Sequence, residues 1–267
     1  MTNVYTHGHA EPVLRSHRWR TAENSAGYLL PSLTTGTTLL DVGCGPGTIT
    51  ADLADAVGGT GRVTGLERTA EALDLARAEI ARRGTPNVDF VVGNVQALDL
   101  VDASYDVVHA HQVLQHVDDP VQALSEMRRV CRPGGLVAAR DSDYAAFSWW
   151  PLLPELDRWL DLYRRLARSN AAEPDAGRRL LSWARAAGFD DVVASSSTWC
   201  FADAVDRGWW GGLWADRVVG SDFARQAVDR GLATTDDLAD LAAGWRRWSE
   251  AEDGWFSVLH GEILARR

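Results

Sequence analysis

The chain contains no lysine: all 27 of its basic residues are arginine. That absence removes whole chemistries. A phosphate-binding P-loop lysine, a Schiff-base lysine and the strand lysine of protein kinases each need a residue this sequence lacks. Cysteine is scarce, with only Cys44, Cys131 and Cys200, odd in number and far apart. Neither a disulfide framework nor a metal-ligand spacing can be drawn from them, so reduced thiols in a cytoplasmic protein are expected, with no metal site. No apolar run approaches the ~18 residues of a membrane span, and residues 1–20 lack the apolar core of a signal peptide. Positive charge is also short. With 37 acidic against 27 basic residues the net charge is -10, which disfavours a nucleic-acid partner.

What is present is a regular alternation of strand and helix patterns. Strands are predicted at 38–42, Arg62–Glu67, Val88–Val92, Tyr105–Ala110 and Leu136–Arg140. Helices are predicted over 11–33, 48–56, Ala70–Arg83 and Pro120–Val130, and Arg132-Pro133-Gly134-Gly135 is expected to turn the chain into the fifth strand. Such βαβα spacing argues for a parallel, doubly wound α/β sheet. Beyond residue 145 the texture changes, and eleven of the twelve tryptophans lie between Trp149 and Trp255. Leu156, Trp159, Leu160, Tyr163 and Leu166 form one helical stripe, and Leu238, Leu241, Trp245 and Trp248 another, both expected in the core. Two late strand-like runs, Asp191–Phe201 and Trp255–Leu264, are expected to close the sheet edge as an antiparallel pair. The resulting organisation is a helical segment at 1–34, a ligand-binding core at 35–145, and a tryptophan-rich helical cap with the last strands at 146–267, together one compact domain.

The most specific feature is Leu39-Leu40-Asp41-Val42-Gly43-Cys44-Gly45-Pro46-Gly47. A buried strand that stops at alternate glycines before a helix is a place to lay a nucleotide-like ligand against bare backbone. Either a dinucleotide or S-adenosylmethionine suits such a turn, and Glu67 at the end of the second strand can take ribose hydroxyls in both. A nicotinamide oxidoreductase of the Tyr-x-x-x-Lys type is not possible without lysine.

The ordered set of Asp41 to Gly47, Glu67, Gly93-Asn94-Val95 and Arg132-Pro133-Gly134-Gly135 resembles class I S-adenosylmethionine-dependent methyltransferases over residues 35–145. Within them it is most similar to the quinone-biosynthesis-type branch and its secondary-metabolism relatives. His111-Gln112-Val113-Leu114-Gln115-His116 with Asp119-Pro120 matches that branch. So do Tyr5-Thr6-His7-Gly8-His9 and the run Ser16 to Asn24, which resemble the leader of actinobacterial and fungal members. The resemblance implies a Rossmann-like, mostly parallel seven-stranded sheet with helical cap insertions and an antiparallel edge strand. It further implies that Gly43, Cys44, Gly45 and Gly47 pass beneath the methionine and ribose of S-adenosylmethionine. Asp41 would orient the loop, Glu67 bind the ribose, and Asn94 and Val95 flank the adenine, with the backbone at His111 close to the sulfonium.

His111 and His116 follow the fourth strand and are the candidate general bases, needed only for an acceptor protonated at working pH. Their i, i+5 spacing prevents both from sharing one helical face. Asp141 and Tyr144 leave the fifth strand toward the same cleft and are candidate substrate contacts. His7, His9 and His17 are either a lid or surface histidines. In the adjacent pairs Trp149-Trp150 and Trp209-Trp210, both rings cannot face one core, so Trp149, Trp150 and Trp210 are candidates to line an apolar acceptor site. The expectation is a methyltransferase for a small, hydrophobic, aromatic metabolite, with O-methylation slightly favoured. A chain that binds the cofactor without transferring its methyl remains the alternative, and a homodimer is permitted.

Overall fold

The computed structural model describes residues 11–267. His7, His9 and the segment Tyr5–His9 lie outside the described residues. The chain begins with α1 (Glu11–Arg18) and α2 (Ala22–Ala26), a short 3-10 turn at Leu30–Ser32, then β1 (Thr38–Val42), α3 (Thr48–Val57), β2 (Arg62–Glu67), α4 (Ala70–Arg83) and β3 (Val88–Val92). There follow β4 (Tyr105–His111), α5 (Pro120–Val130), β5 (Cys131–Ser142), β6 (Ser148–Trp150), α6 (Pro154–Ser169), α7 (Leu180–Ala186) and β7 (Asp191–Phe201). The last elements are α8 (Ala204–Gly220), α9 (Asp222–Asp229), α10 (Thr235–Glu250) and β8 (Trp255–Arg266).

The strands form a mostly parallel sheet in the order β3-β2-β1-β4-β5-β8-β6, with β7 paired to β8. β1 lies parallel between β2 and β4, and β2–β3 and β4–β5 are also parallel. β6 runs antiparallel to β8, matching Trp149 with Phe256 and Trp150 with Trp255. The expected α/β class therefore holds, and three local expectations change. The helix predicted over 11–33 is broken, because Thr21 and Asn24 form a reciprocal capping box that starts α2 afresh, each side chain satisfying the other's backbone amide. The turn expected at Arg132–Gly135 is instead a bulge inside β5. Its pairing with β4 jumps from Tyr105↔Cys131 to Val107↔Leu136, and Gly134, at φ +79°, takes the left-handed conformation there. The late strands do pair, but β8 lies between β5 and the three-residue β6, so it is an interior strand.

The chain divides into two compact units. The sheet unit comprises His17–Asp141, Ala176–Ser197 and His260–Arg267; the aromatic unit comprises Ser142–Asp175 and Thr198–Leu259, with residues 11–16. In the sheet unit one apolar layer joins Leu39, Val63, Val107 and Ala138 to Ala22, Ala26 and Leu29 and to Ile49 and Leu53 of α3. The other face buries Leu40, Val42, Val108, Ala110, Val137 and Ala139 against α5 and α7. This is the two-faced burial that a parallel sheet requires.

The aromatic unit is built on rings. Trp159 of α6 is fully buried, meeting Trp214 edge-on at 4.5 Å and Trp245 at 4.8 Å. Tyr163 stacks on Tyr144 at 4.0 Å. The second helical stripe, Leu238, Leu241, Trp245 and Trp248 of α10, is buried as expected. Perpendicular rings at these separations place the positive edge of one indole over the negative face of the next. Trp159→Ala is expected to lower folding stability by about 3–5 kcal/mol, read from urea unfolding; an unmoved midpoint would remove this ring from the core.

Candidate active site

The glycine turn after β1 makes three left-handed residues in five: φ is +67° at Gly43, +54° at Gly45 and +80° at Gly47. The three glycines answer to different constraints. A Cβ on Gly43 would lie 2.4 Å from Cγ2 of Val113 and force that side chain to shift, and one on Gly47 would crowd Ala76 at 3.0 Å, in addition to the left-handed strain at both. A Cβ on Gly45 would meet nothing within 4 Å, leaving bare backbone in the space a ligand needs for close approach. The turn is hung on β2, with the amides of Gly43 and Cys44 donating to the Leu66 carbonyl at 2.8 and 3.1 Å. Glu67 completes it: Oε1 accepts from the Gly45 amide at 2.9 Å and Oε2 from the Arg68 amide at 3.0 Å. A carboxylate has about four acceptor positions, so both oxygens can still take hydroxyl donors. The Cys44 side chain turns away into a small core with Leu73, Ala76 and Phe90. Burial, then the charges of Asp41 and Glu67, push its thiol well above the ordinary range. Only its backbone faces the turn's function.

Asp41 is buried, and its two oxygens join three elements. Oδ2 accepts the Thr50 hydroxyl of α3 at 2.6 Å, and Oδ1 lies 2.8 Å from Nδ1 of His109 on β4. Register sets this up, since Asp41 is paired with His109 across the strands. Period-2 alternation puts His111 on the same face as His109, opposite Arg140 of β5. Beyond His111, Gln112 takes a left-handed φ of +53°, uncommon for a residue with a side chain. Its amide donates to the Arg140 carbonyl at 2.7 Å, its Oε1 accepts from Arg20 at 2.7 Å, and its Nε2 donates to Nε2 of His260 at 2.9 Å. Arg140 itself is buried against Glu262 and Ser197, each 3.1 Å from its Nε. Burial lowers its pKa to about 10 even with that carboxylate beside it.

Both candidate bases are held neutral. Desolvation, then the charges of Arg20 and Arg140, lower His111 well below the imidazole range. His116 is lowered to about 3 by desolvation and then by Arg20, and its Nε2 accepts from the Gln115 side chain at 2.9 Å. Asp141 is fully buried at the end of β5, and Oδ1 accepts the Gln115 amide at 3.1 Å. Desolvation raises its carboxyl to about 7 against the lowering effect of the Gln115 and Leu114 amides and of Arg140 and Arg20. Asn94 accepts the Gln96 amide at 3.0 Å in a local turn, while the Val95 side chain packs in the core beside Leu66 and Leu98.

The remaining candidates lie in the aromatic unit. Tyr144 stacks between Tyr163 and Phe147, Trp149 stacks on Phe256 at 5.6 Å, and Trp210 stacks on Phe201 at 4.3 Å. Trp150 is half exposed, with Nε1 donating to Asp253 at 2.8 Å. Each adjacent tryptophan pair thus sends one ring into the core, and Trp150 and half-buried Trp209 outward.

A glycine turn with open space at its centre, closed by an acid from the next strand, suits a nucleoside cofactor, and comparison with known proteins specifies which. Residues 33–188 match a family model described as a methyltransferase domain. Over 98% of this chain and 96% of its own length, an uncharacterised methyltransferase of Schizosaccharomyces pombe is 35% identical. The chain belongs to the class I S-adenosylmethionine-dependent methyltransferases. The demethylmenaquinone methyltransferase of Lactococcus lactis is 34% identical to this methyltransferase over 48% of the chain and 49% of its own length. The fold of the present chain is shared by phosphoethanolamine N-methyltransferase 2 of Haemonchus contortus, solved with S-adenosylhomocysteine, at a TM-score of 0.54, 16% identity, and 88% and 49% coverage of the two chains. The nicotinamide alternative is thereby set aside.

Sequence reasoning missed Arg20, Gln112 and His260 of this methyltransferase, which meet across separations of 92 and 148 residues. The alternation His109-x-His111 was the one local signal that two imidazoles share a strand face. Asp141 generates a pH prediction. Its folded pKa lies above that of the unfolded chain, so between about pH 4 and pH 7 the native state binds more protons, and this group's stabilisation is lost as pH rises through that window. In urea unfolding, Asp141→Asn is expected to gain stability relative to the wild type as pH rises from about 4.5 to 7.5; a pH-independent difference would contradict the raised pKa.

Proposed function

We propose that this methyltransferase acts on a small, hydrophobic, aromatic acceptor carrying a hydroxyl, a phenol or quinol, with oxygen favoured over carbon or nitrogen. The observation that carries the cofactor half of this reading is Gly45, whose bare backbone borders open space while its amide is held by Glu67. In the proposed arrangement Glu67 takes the ribose hydroxyls and the backbone of Gly43 to Gly47 lies beneath the ribose and methionine. Asp41 fixes the turn through Thr50 and His109, and Asn94 and Val95 border the adenine. S-adenosylmethionine supplies an electrophilic methyl group on a sulfonium. The chain's own contribution is then orientation and exclusion of water, worth roughly 7–11 kcal/mol of the barrier in favourable cases.

Support for the acceptor class comes from three directions. A net charge of -10 without lysine disfavours nucleic acid. The aromatic unit offers indole and phenol rings suited to flat apolar molecules; half-exposed Trp150 is proposed to face the acceptor, and Tyr144, Trp149 and Trp210, buried in ring stacks, are proposed to form the wall behind it. A relative acts, by its name, on demethylmenaquinone, a quinone. His111 and His116 are proposed on the acceptor side as neutral hydrogen-bonding groups. An imidazole lowered to about 3 is too weak a base to deprotonate a phenol efficiently, so their contribution is to position a hydroxyl whose proton leaves by another route.

Titration calorimetry tests the cofactor half. Glu67→Ala is expected to weaken S-adenosylmethionine binding at least about tenfold, the loss of one charge-assisted bidentate contact. Gly45→Ala should weaken it as much while costing folding only about 1–2 kcal/mol of left-handed strain. Unchanged affinity in both would separate the turn from the cofactor. S-adenosylhomocysteine formation with 1,4-naphthoquinol, catechol and aniline tests the acceptor half; turnover of aniline without the two hydroxyl compounds would reverse the oxygen preference.

A further inference from the structure

Among the buried acids of the sheet unit, Asp141 stands apart. Asp41 has Thr50 and His109, and Glu262 has Arg140 and the hydroxyl of Ser195 at 2.8 Å. Asp141 is fully buried, yet its Oδ2 has no hydrogen-bond partner among the described residues. Nor, among the described residues, does the carboxyl have an arginine or histidine at ion-pair distance. The charges that act on it are Arg140 on its own strand and Arg20 from the N-terminal side, with Tyr28 also within their field; His111 is the strand partner of Arg140, and His116 follows Gln115 in the turn after β4. Arg140 is bonded to Glu262, Arg20 is bonded to Gln112, and both imidazoles are neutral. Tyr28, raised well above the phenol range, is neutral too. Below about pH 7 an acid buried this way stays protonated unless a cation arrives.

Its place in the sheet says where the cation comes from. Arg140 pairs with His111 at the end of β4, so Asp141 sits one residue further toward the carboxyl ends of the strands. Through the Gln115 amide its carboxyl is held to the turn that follows β4, the neighbour of β1 and its glycine turn. Ligands of open α/β sheets lie at these carboxyl ends. Resting on the reading that the Gly43–Gly47 turn holds the cofactor, we propose that Asp141 is the counter-charge to the sulfonium of S-adenosylmethionine. The same carboxyl faces a neutral thioether when S-adenosylhomocysteine is bound. The residue therefore reads the methylation state of the cofactor and favours exchange of product for substrate.

The linkage has a definite sign. A cation favours the ionised carboxylate, so binding S-adenosylmethionine below neutral pH expels the Asp141 proton to the buffer, and binding the thioether does not. Affinity for S-adenosylmethionine then rises with pH up to about 7 and levels off above it, while affinity for S-adenosylhomocysteine stays flat. The experiment is calorimetric titration of both ligands into wild type and Asp141→Asn at pH 6, 7 and 8, repeated at pH 6 in two buffers of different ionisation enthalpy. The wild type is expected to bind S-adenosylmethionine roughly tenfold more weakly at pH 6 than at pH 8, releasing close to one proton at pH 6, with less than twofold change for S-adenosylhomocysteine. Asp141→Asn should keep its S-adenosylhomocysteine affinity, which reports an intact fold, and lose the pH dependence and the preference for the sulfonium. Equal pH profiles for the two ligands in the wild type, or a variant that retains the difference, would overturn the assignment. If the variant does not fold, the two-buffer proton count on the wild type alone decides. Failure of the wild type to bind either ligand would overturn the cofactor reading, and this inference with it.

Discussion

The sheet unit depends on where the Asp41 carboxylate can put its two oxygens. It is buried near the end of β1, and a carboxylate in that position is tolerable only with donors on both sides. One oxygen holds the Thr50 hydroxyl in the first turns of α3, and the other holds His109 on the adjacent β4. Strand, helix and neighbouring strand are thereby clamped at one point. The five residues from Gly43 to Gly47 must bridge ends already fixed, and this is why three of them adopt left-handed geometry. Glu67 then takes up the amide at the centre of that forced turn.

Much of this framework could be read in the chain because it is enforced locally. β2, β3 and β7 occupy the predicted spans, as does β1 at 38–42. β1 and β2 are buried runs that stop at a glycine and an acid, and such runs have few other conformations open to them. The glycine turn and Glu67 were legible because backbone geometry dictates residue type there. Cys44 marks the limit of that logic, since it lies inside the motif while its side chain packs against Leu73, Ala76 and Phe90. The capping box that divides the N-terminal helix is spelled by Thr21 and Asn24, but an apolar pattern running through Tyr28 to Leu33 outweighed it. Arg20 and Gln112 lie in motifs the sequence displays, but their meeting with each other and with His260 is decided by strand order and has no period in the sequence. β6 has three residues and is too short to show an alternation.

The polar groups at the carboxyl ends of the strands follow a common physical rule. Burial selects the neutral form of each group that lacks an opposite charge, so His111 and His116 lose their protons and Asp141 keeps its own. Arg140 and Glu262 lie there as an ion pair, and hydroxyls from β7 bond to the Glu262 carboxyl group. Low dielectric strengthens whatever field a ligand brings into such a site. A transferase whose chemistry resides in its cofactor gains from this arrangement, because the protein's task is to hold partners in line.

The partition of indoles between the two units has an optical consequence. Ten of the twelve tryptophans fall within the aromatic unit, leaving only Trp19 and Trp183 in the sheet unit. Intrinsic emission therefore reports almost entirely on one half of the molecule. Near-perpendicular indoles 4.5–4.8 Å apart, Trp159 with Trp214 and Trp245, couple their transitions, so near-ultraviolet dichroism follows the packing of that same half. Far-ultraviolet dichroism sees the backbone of both. The molecule thus carries a built-in pair of spectroscopic channels, and any delay between them would measure how tightly the folding of one unit is tied to the other.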